Sequence, residues 1–386
     1  MSVINLTGEQ EQVVRDILVW FMRKRKSIFS VAGFAGTGKS TILKSAVTAL
    51  GLQPQEVRYV TYTGKASLVL IRKGLSSQTI HSFCYEPKLT TYRCPYTRLM
   101  KTKISGFRLR DVVEPEIKLL VIDEVSMVSE KLLEDLLSFK LPILVMGDPG
   151  QLPPVRGKQN SLLIKPDAFL QTIHRQAAGS PIIRLSMDAR MGRSIKPGDY
   201  GQGVRVIPRS QITVDDLLTH SQVITCLHRN RIAYNQAVRK YLGYGKLPAI
   251  GDKLVCLKND WEEFSSQTFT PLVNGLQARL IEPITVVSQN NRSLMITVEA
   301  EGVPGDLYYE LEANLDYFDP IPGQTPNTDA KMSHWDYGYA ITCHRSQGSE
   351  WDSVLLLADT FGGIEEQKQL LYTGITRASQ TLTIAI

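Results

Sequence analysis

The sequence predicts an α/β protein with two parallel-sheet cores and a small all-β segment inserted in the second. Three observations lead there. Apolar strand-like runs alternate with helical stretches through the first half, the same alternation resumes after residue 223, and the stretch 251–318 carries short β-rich runs broken by turns instead.

In the first half, apolar runs at 27–32, 57–61, 119–122 and 143–146 alternate with helical patterns at 8–25, 39–50 and 130–139. That alternation calls for a parallel sheet with helices on both faces. A second series runs through 223–226, a helix at 230–242, and further strand-like runs at 339–342, 354–357 and 381–386. Between the two parts of this second series, runs at 253–257, 284–287, 294–298 and 307–311 are separated by Asn-Gly, Asn-Asn and Pro-Gly turns. There is no repeat of fixed period and no low-complexity tract.

The 386 residues leave room for two or three compact units. Apolar residues make up 43% of the chain, yet no run approaches the roughly 18 to 20 apolar residues of a membrane span. No membrane partner is therefore expected. Five scattered cysteines without a Cys-x-x-Cys pair argue against a disulfide framework or a zinc site and suit a reducing interior. The formal charge of +6 is modest, but its distribution is uneven. From Lys88 to Arg110 there are seven basic residues and no acidic one, with Tyr92, Tyr96 and Phe107 among them. Such a stretch is either a solvated loop or a surface for a polyanion.

The chemistry begins at Gly33-Phe-Ala-Gly36-Thr37-Gly38-Lys39-Ser40, which follows an apolar run and opens a helical one. This is the setting of a phosphate-binding loop. Glycines let backbone N–H groups close around phosphates, Lys39 reaches the β- and γ-phosphates, and the Ser40 hydroxyl ligates Mg²⁺; Gly36, Thr37, Gly38 and Thr41 complete the expected ATP contacts. The run 119–122 ends in Asp123-Glu124, two carboxylates at the sheet edge where ligands bind in open α/β folds. Asp123 is expected to hold Mg²⁺ and Glu124 to orient or deprotonate the attacking water. After 143–146, the Gly- and Pro-rich stretch from Gly147 to Val155 forms a fixed loop that could aim Gln151 at the γ-phosphate. Two further blocks, His344 to Trp351 and Leu371 to Ala378, lie near the end of the chain, the latter with Arg377 in the style of an arginine finger.

In this order the motifs resemble superfamily 1 helicases, within them the 1B branch of RecD-like and T4-type Dda DNA helicases, over nearly the whole chain. Leu6-Thr7 to Gln10 resembles the adenine-reading motif, Thr63-Gly64-Lys65-Ala66 and Thr79-Ile80-His81-Ser82 two strand-gripping motifs, and His174-Arg175-Gln176 is similar to the family's motif IV. The resemblance implies two RecA-like domains, 1A (1–86 and 116–176) and 2A (177–250 and 319–386). It also implies a β-hairpin insert 1B (87–115) and an SH3-like insert 2B (251–318). Gln10 would contact adenine, Glu350 the ribose, and Arg175 and Arg377 the γ-phosphate, so that hydrolysis requires both cores.

Single-stranded DNA would be held by Tyr62, Thr63, Lys65, His81, Ser82 and Phe83, and by Asn274, Thr342, His344 and Ser346. In the hairpin, Ser105-Gly106-Phe107 reads as the turn, with Phe107 a wedge at its tip and Lys101, Lys103 and Arg108 on phosphates. The implied activity is ATP- and Mg²⁺-dependent 5′-to-3′ translocation and unwinding of forked duplex DNA by a monomer, with replication or recombination proteins as candidate partners. Two alternatives stand beside it: a translocase that displaces proteins or acts on RNA without processive unwinding, and an ATP-switched nucleic-acid-binding module.

Overall fold

The computed structural model describes residues 6–72, 74–93, 100–153, 161–173, 179–268, 270–288, 292–321, 324–326, 332–359 and 362–386. Contacts divide the chain into two compact units. One comprises Met1–Tyr62, Ala66–Pro149 and Pro153–Ile173; the other comprises Thr63–Lys65, Gly150–Leu152 and His174–Ile386.

The first unit runs α1 (Gly8–Arg23), β1 (Ile28–Gly33), α2 (Lys39–Ala49), β2 (Val57–Thr61), α3 (Gly64–Arg72), β3 (Ser77–Thr79), α4 (Ile80–Cys84), β4 (Tyr85–Arg93), β5 (Met100–Leu109), β6 (Leu119–Ile122), α5 (Glu130–Leu137), β7 (Ile143–Gly147), α6 (Ser161–Ile164) and β8 (Ala168–Leu170). Helix α1 starts in a capping box: Gln10 N donates to Thr7 Oγ1 while Thr7 N donates to Gln10 Oε1. The sheet order is β3-β2-β6-β7-β1-β8, with every recorded pairing parallel. Strands β1, β6 and β7 are buried at every position, as a parallel sheet covered on both faces requires. Alternate residues feed opposite layers. Phe29, Val31, Leu119, Val121, Leu144 and Met146 pack under α1 and α2, while Ile28, Ala32, Leu120, Ile122, Ile143 and Val145 pack with α4 and α5.

Phe83 belongs to that second layer. It is 3% exposed, with its ring edge-on to Phe139 at 5.5 Å. The expectation that it stacks on a base is therefore corrected: the short helix α4 turns this ring into the core. Phe83→Ala is expected to cost the unit about 3–5 kcal/mol, seen as a lower thermal midpoint. A loss of strand affinity at an unchanged midpoint would restore the contact role.

Strands β4 and β5 form an antiparallel hairpin with Tyr85 opposite Leu109 and Arg93 opposite Met100. The predicted turn at Ser105-Gly106-Phe107 is corrected as well. Phe107 pairs with Pro87 near the root of the hairpin, and Gly106 marks a register shift rather than a reversal. Residues 94–99, between the two strands, lie outside the described ones.

The second unit holds β9 (Gly198–Gly201), β10 (Val204–Ile207), β11 (Gln222–Thr225), β12 (Lys253–Cys256), β13 (Asp260–Phe264), β14 (Pro271–Leu272), β15 (Gln277–Leu280), β16 (Thr285–Ser288), β17 (Ser293–Ala300), β18 (Leu307–Asn314), β19 (Trp335–Tyr337), β20 (Ala340–Thr342), β21 (Trp351–Leu357) and β22 (Ala378–Ala385). One sheet has the order β20-β11-β21-β22-β10-β9, parallel except for β9 against β10. A second, antiparallel sheet has the order β16-β17-β15-β12-β19, with β18 also on β17.

The predicted all-β segment is present but does not end at 318. Its edge strand β19 comes from beyond that boundary, with Trp335 fully buried. Only Gly338 and Tyr339 separate it from β20 of the other sheet. A Cβ at Gly338 would lie 3.0 Å from the Leu254 carbonyl carbon, so the crossing is closely packed. Beside it, Arg239 pairs with the fully buried Asp252, stacks 3.9 Å from the Tyr337 ring centre, and shares Asp252 with the Tyr339 hydroxyl. An ion pair taken out of water needs such additional partners to compensate its desolvation.

Candidate nucleotide site and nucleic-acid contacts

Within the first unit, three neighbouring strands end at one sheet edge. Strand β1 leads into the glycine-rich loop, β7 into Asp148, and β6 into Asp123 and Glu124. At Gly33 a Cβ would meet Thr37 Oγ1 at 2.7 Å and Leu170 Cβ at 2.9 Å, so the loop closes only over glycine. Gly36 and Gly38 take φ of 79° and 81°, a left-handed backbone that glycine adopts without penalty. Helix α2 then begins without a side-chain cap. Its first N–H groups thus remain available to an anion, helped by the helix dipole.

Lys39 is held at this edge. Its Nζ donates to the carbonyls of Gly33 at 2.7 Å and Phe34 at 3.1 Å and lies 3.7 Å from Asp148 Oδ2. Asp148 is 1% exposed, and sequence reasoning assigned it no role. The signal was there: it directly follows an apolar strand, as Asp123 does. Glu124 adopts φ of 65°, unusual for a side-chain-bearing residue, and accepts a hydrogen bond from Ser126 Oγ at 3.3 Å. Strain of this kind clusters at functional sites. Asp123 stands near Tyr59, whose phenol is pushed upward by burial and then by that carboxylate's charge. Ser40 is exposed and Thr41 half-buried on the first turn of α2.

Gln10 is 1% exposed, and its Nε2 donates to the Thr37 carbonyl at 3.1 Å. It braces the loop against α1, a role the sequence reading missed. Gln151 is 5% exposed, and its Oε1 has no hydrogen-bond partner among the described residues. Next to it, Leu152 is fixed in the second unit: its N–H donates to Thr373 Oγ1 at 3.1 Å and its carbonyl accepts from Gln347 at 2.8 Å. Arg377 is 7% exposed and donates to the carbonyls of Thr373 and Ser349 and to Thr376 Oγ1. Among the described residues no carboxylate pairs with it. Glu350 is exposed, and Arg175 lies outside the described residues.

The expected strand contacts divide. Tyr62 is 39% exposed, edge-on to the His81 ring at 6.3 Å, and Asn274 is exposed on its turn. Thr63 is half-buried; Thr342 is half-buried too and caps the short helix Cys343–Ser346 through the Arg345 N–H. Ser82 is half-buried and donates to Gln78. Desolvation holds the imidazoles of His81 and His344 below the ordinary value. Lys65 is engaged internally, donating to Gln277 Oε1 at 2.9 Å with its Nζ 4.3 Å from the Trp351 ring centre.

Ser346 requires correction as a strand contact. It is fully buried, and its hydroxyl donates to the Cys343 carbonyl at 2.7 Å. Phe107 is 60% exposed, and Arg108 pairs with Glu86 at 2.5 Å. Lys101 and Lys103 lie on β5 opposite Tyr92 and Thr90; their side chains are outside the described ones.

A glycine loop closing one parallel strand, with carboxylates on its neighbours, defines a phosphate-loop nucleotide-binding protein. The AAA-domain family matches residues 5–205 and the UvrD-like helicase C-terminal domain matches residues 337–385. The chain belongs to the AAA-domain family and, within it, to the RecD-like and Dda-type superfamily 1B helicases. It is 27% identical over 374 residues to the ATP-dependent RecD2 DNA helicase of Deinococcus radiodurans, covering 90% of this chain and 45% of that protein. To the ATP-dependent DNA helicase Dda of Enterobacteria phage T4 it is 23% identical over 456 residues, covering 98% of each. It thus spans less than half of RecD2 and nearly all of Dda. In fold it is similar to a Pif1 helicase solved in a study of unwinding at forked double-stranded DNA, with a TM-score of 0.56 at 18% identity over 99% of this chain and 92% of that one. Among the described residues no helix is long and apolar enough to cross a membrane.

Proposed function

We propose that the protein is an ATP-dependent DNA helicase that translocates 5′ to 3′ along single-stranded DNA and opens forked duplexes in the cytoplasm. The observation that carries this reading is the convergence of Lys39, Asp123, Glu124 and Asp148 on one sheet edge, at the mouth of an uncapped helix. In phosphoryl transfer the protein's part is positioning and charge neutralisation. Lys39 exchanges its carbonyl and Asp148 contacts for phosphate oxygens, Glu124 orients the attacking water, and Gln151 and Arg377 act on the γ-phosphate together with Arg175. Ser40 and Asp123 would hold Mg²⁺, which neutralises phosphate charge when bound. Gln10 meets the adenine from beneath the loop, and Glu350 the ribose.

The domain plan 1A, 1B, 2A and 2B goes with this reading, the hairpin β4–β5 serving as 1B and the antiparallel sheet, enlarged by β19, as the SH3-like 2B. Single-stranded DNA is gripped by Tyr62, Thr63, His81 and Ser82 and by Asn274, Thr342 and His344. The root position of Phe107 changes its part from fork wedge to base-stacking platform. A stacked base is worth about 1–3 kcal/mol, so Phe107→Ala is expected to weaken single-strand affinity by about 5- to 150-fold. Unwinding and ATPase should then fall together at limiting DNA and recover together at saturating DNA. Slower unwinding alone at saturating DNA would return the residue to the wedge role.

The test of the reading as a whole is ATPase with and without single-stranded DNA, followed by displacement on forks bearing a 5′ or a 3′ tail. Strong stimulation with 5′-tail unwinding is the expected result. Stimulation without displacement leaves a protein-stripping or RNA translocase, and absence of stimulation by any strand leaves an ATP-switched binding module.

A further inference from the structure

At the end of α1 far from the phosphate loop, a shallow cavity of about 340 Å³ is lined by Trp20, Phe29, Val19 and the charged residues Arg23, Arg25, Lys26, Asp16 and Asp167. Its α1 residues, Asp16 to Arg23, lie about 9 to 20 Å along the helix from Gln10, which braces the loop, at 1.5 Å per residue. Its floor is apolar. Trp20 and Phe29 are each 8% exposed with ring centres 5.6 Å apart, and the Trp20 indole N–H is fixed to the Lys26 carbonyl at 2.7 Å. Val19 and Met22 continue the apolar surface at 40% and 70% exposure.

The rim is cationic. Arg23, Lys24, Arg25 and Lys26 follow one another and are all exposed. Lys24 takes a left-handed φ of 49° as the helix ends, so the chain turns sharply within the run. Lys26 is paired with Asp167, which also accepts from Ser30, and Asp16 accepts from Gln12. Among the described residues Arg23 and Arg25 have no carboxylate partner. A basic residue in the last turn also complements the helix dipole. The dipole accounts for Arg23 but not for Arg25 beyond the helix, nor for the apolar floor between the cations.

We propose that this cavity docks an acidic peptide segment of a partner protein, seating one apolar side chain on the Trp20–Phe29 floor while its carboxylates meet Arg23 and Arg25. A nucleic-acid strand fits less well. Asp16 and Asp167 in the lining repel a continuous phosphate backbone. A peptide can turn amide N–H groups toward those carboxylates.

The probe is a carboxyfluorescein-labelled peptide, Gly-Ser-Asp-Asp-Asp-Leu-Phe with a free C-terminus, titrated with the full chain and followed by anisotropy. Saturable binding is expected. It should weaken at least about tenfold in Arg23→Glu/Arg25→Glu, in Val19→Ser, and with a peptide whose Leu-Phe is replaced by Ser-Ser. All three side chains are exposed and distant from the loop, so strand-stimulated ATPase should stay at the parent level. Binding that ignores either the charge reversal or the loss of the apolar pair overturns the proposal. So does oligo-dT that displaces the peptide and itself loses affinity in the charge-reversed variant, which would make the surface a nucleic-acid contact.

Discussion

Lys39→Ala is expected to lower strand-stimulated ATPase by about 10²- to 10³-fold or more, the range seen when one preorganised electrostatic contact to developing charge is removed. Folding should be largely preserved. The lysine's partners are two loop carbonyls and Asp148, and the carbonyls belong to a loop already fixed by the Gly33–Thr37 packing and by Gln10. The exposed cost is Asp148, left buried without its cation. Stability in the variant should therefore be recovered in part by Lys39→Ala/Asp148→Asn, while turnover stays lost. Measured kcat in the double variant is the discriminating number. Turnover within about tenfold of the parent would mean that Lys39 is a structural tie and not a phosphate ligand.

Arg377→Ala carries the second large effect, about 10³- to 10⁵-fold in kcat if the residue acts as an arginine finger. The structure adds a complication. All three donating nitrogens of Arg377 are engaged, with the Thr373 and Ser349 carbonyls and the Thr376 hydroxyl; Thr373 also accepts from Thr376 Oγ1, so truncation costs chiefly the Ser349 carbonyl its donor, at about 1–3 kcal/mol. A purely structural role would lower the thermal midpoint and reduce activity only through the folded fraction. The finger role predicts a collapse of kcat at temperatures where the variant is still fully folded, with single-strand affinity unchanged. Arg377→Lys separates the cases further, since an ammonium cannot reproduce a fork that serves three acceptors. A kcat within tenfold of the parent in folded Arg377→Ala would remove the residue from the chemistry.

Much of the first unit could be read from the sequence because its strands are buried on both faces. A run such as 119–122 has no polar alternation to confuse it, and its end is announced by two carboxylates. The glycine loop is legible for a related reason: at Gly33 a Cβ would crowd Thr37 and Leu170, and Gly36 and Gly38 take a left-handed φ that side-chain-bearing residues rarely adopt. What escaped was set by partners distant in the chain. Phe83 and Ser346 stand beside strand-gripping motifs, and nothing local says that the side chains turn inward. Strand β19 was missed because its pairing partner β12 lies some eighty positions earlier, and three residues cannot declare their sheet alone. The β9–β10 hairpin was missed through its glycines, although Gln202-Gly203, both with positive φ, is the kind of two-residue turn that joins such strands. Phe107 was misplaced because Gly106 looks like a reversal, while the chain uses it only to shift register.

The junction at Gly338-Tyr339 has a mechanical meaning. With two residues between edge strands of different sheets and a desolvated arginine–aspartate clasp beside them, there is no slack for the antiparallel sheet to swing like a hinged flap. Whatever pushes on it is transmitted to β20 as through a welded lever. Lengthening that joint by a few glycines would convert the lever into a tether while leaving both sheets intact.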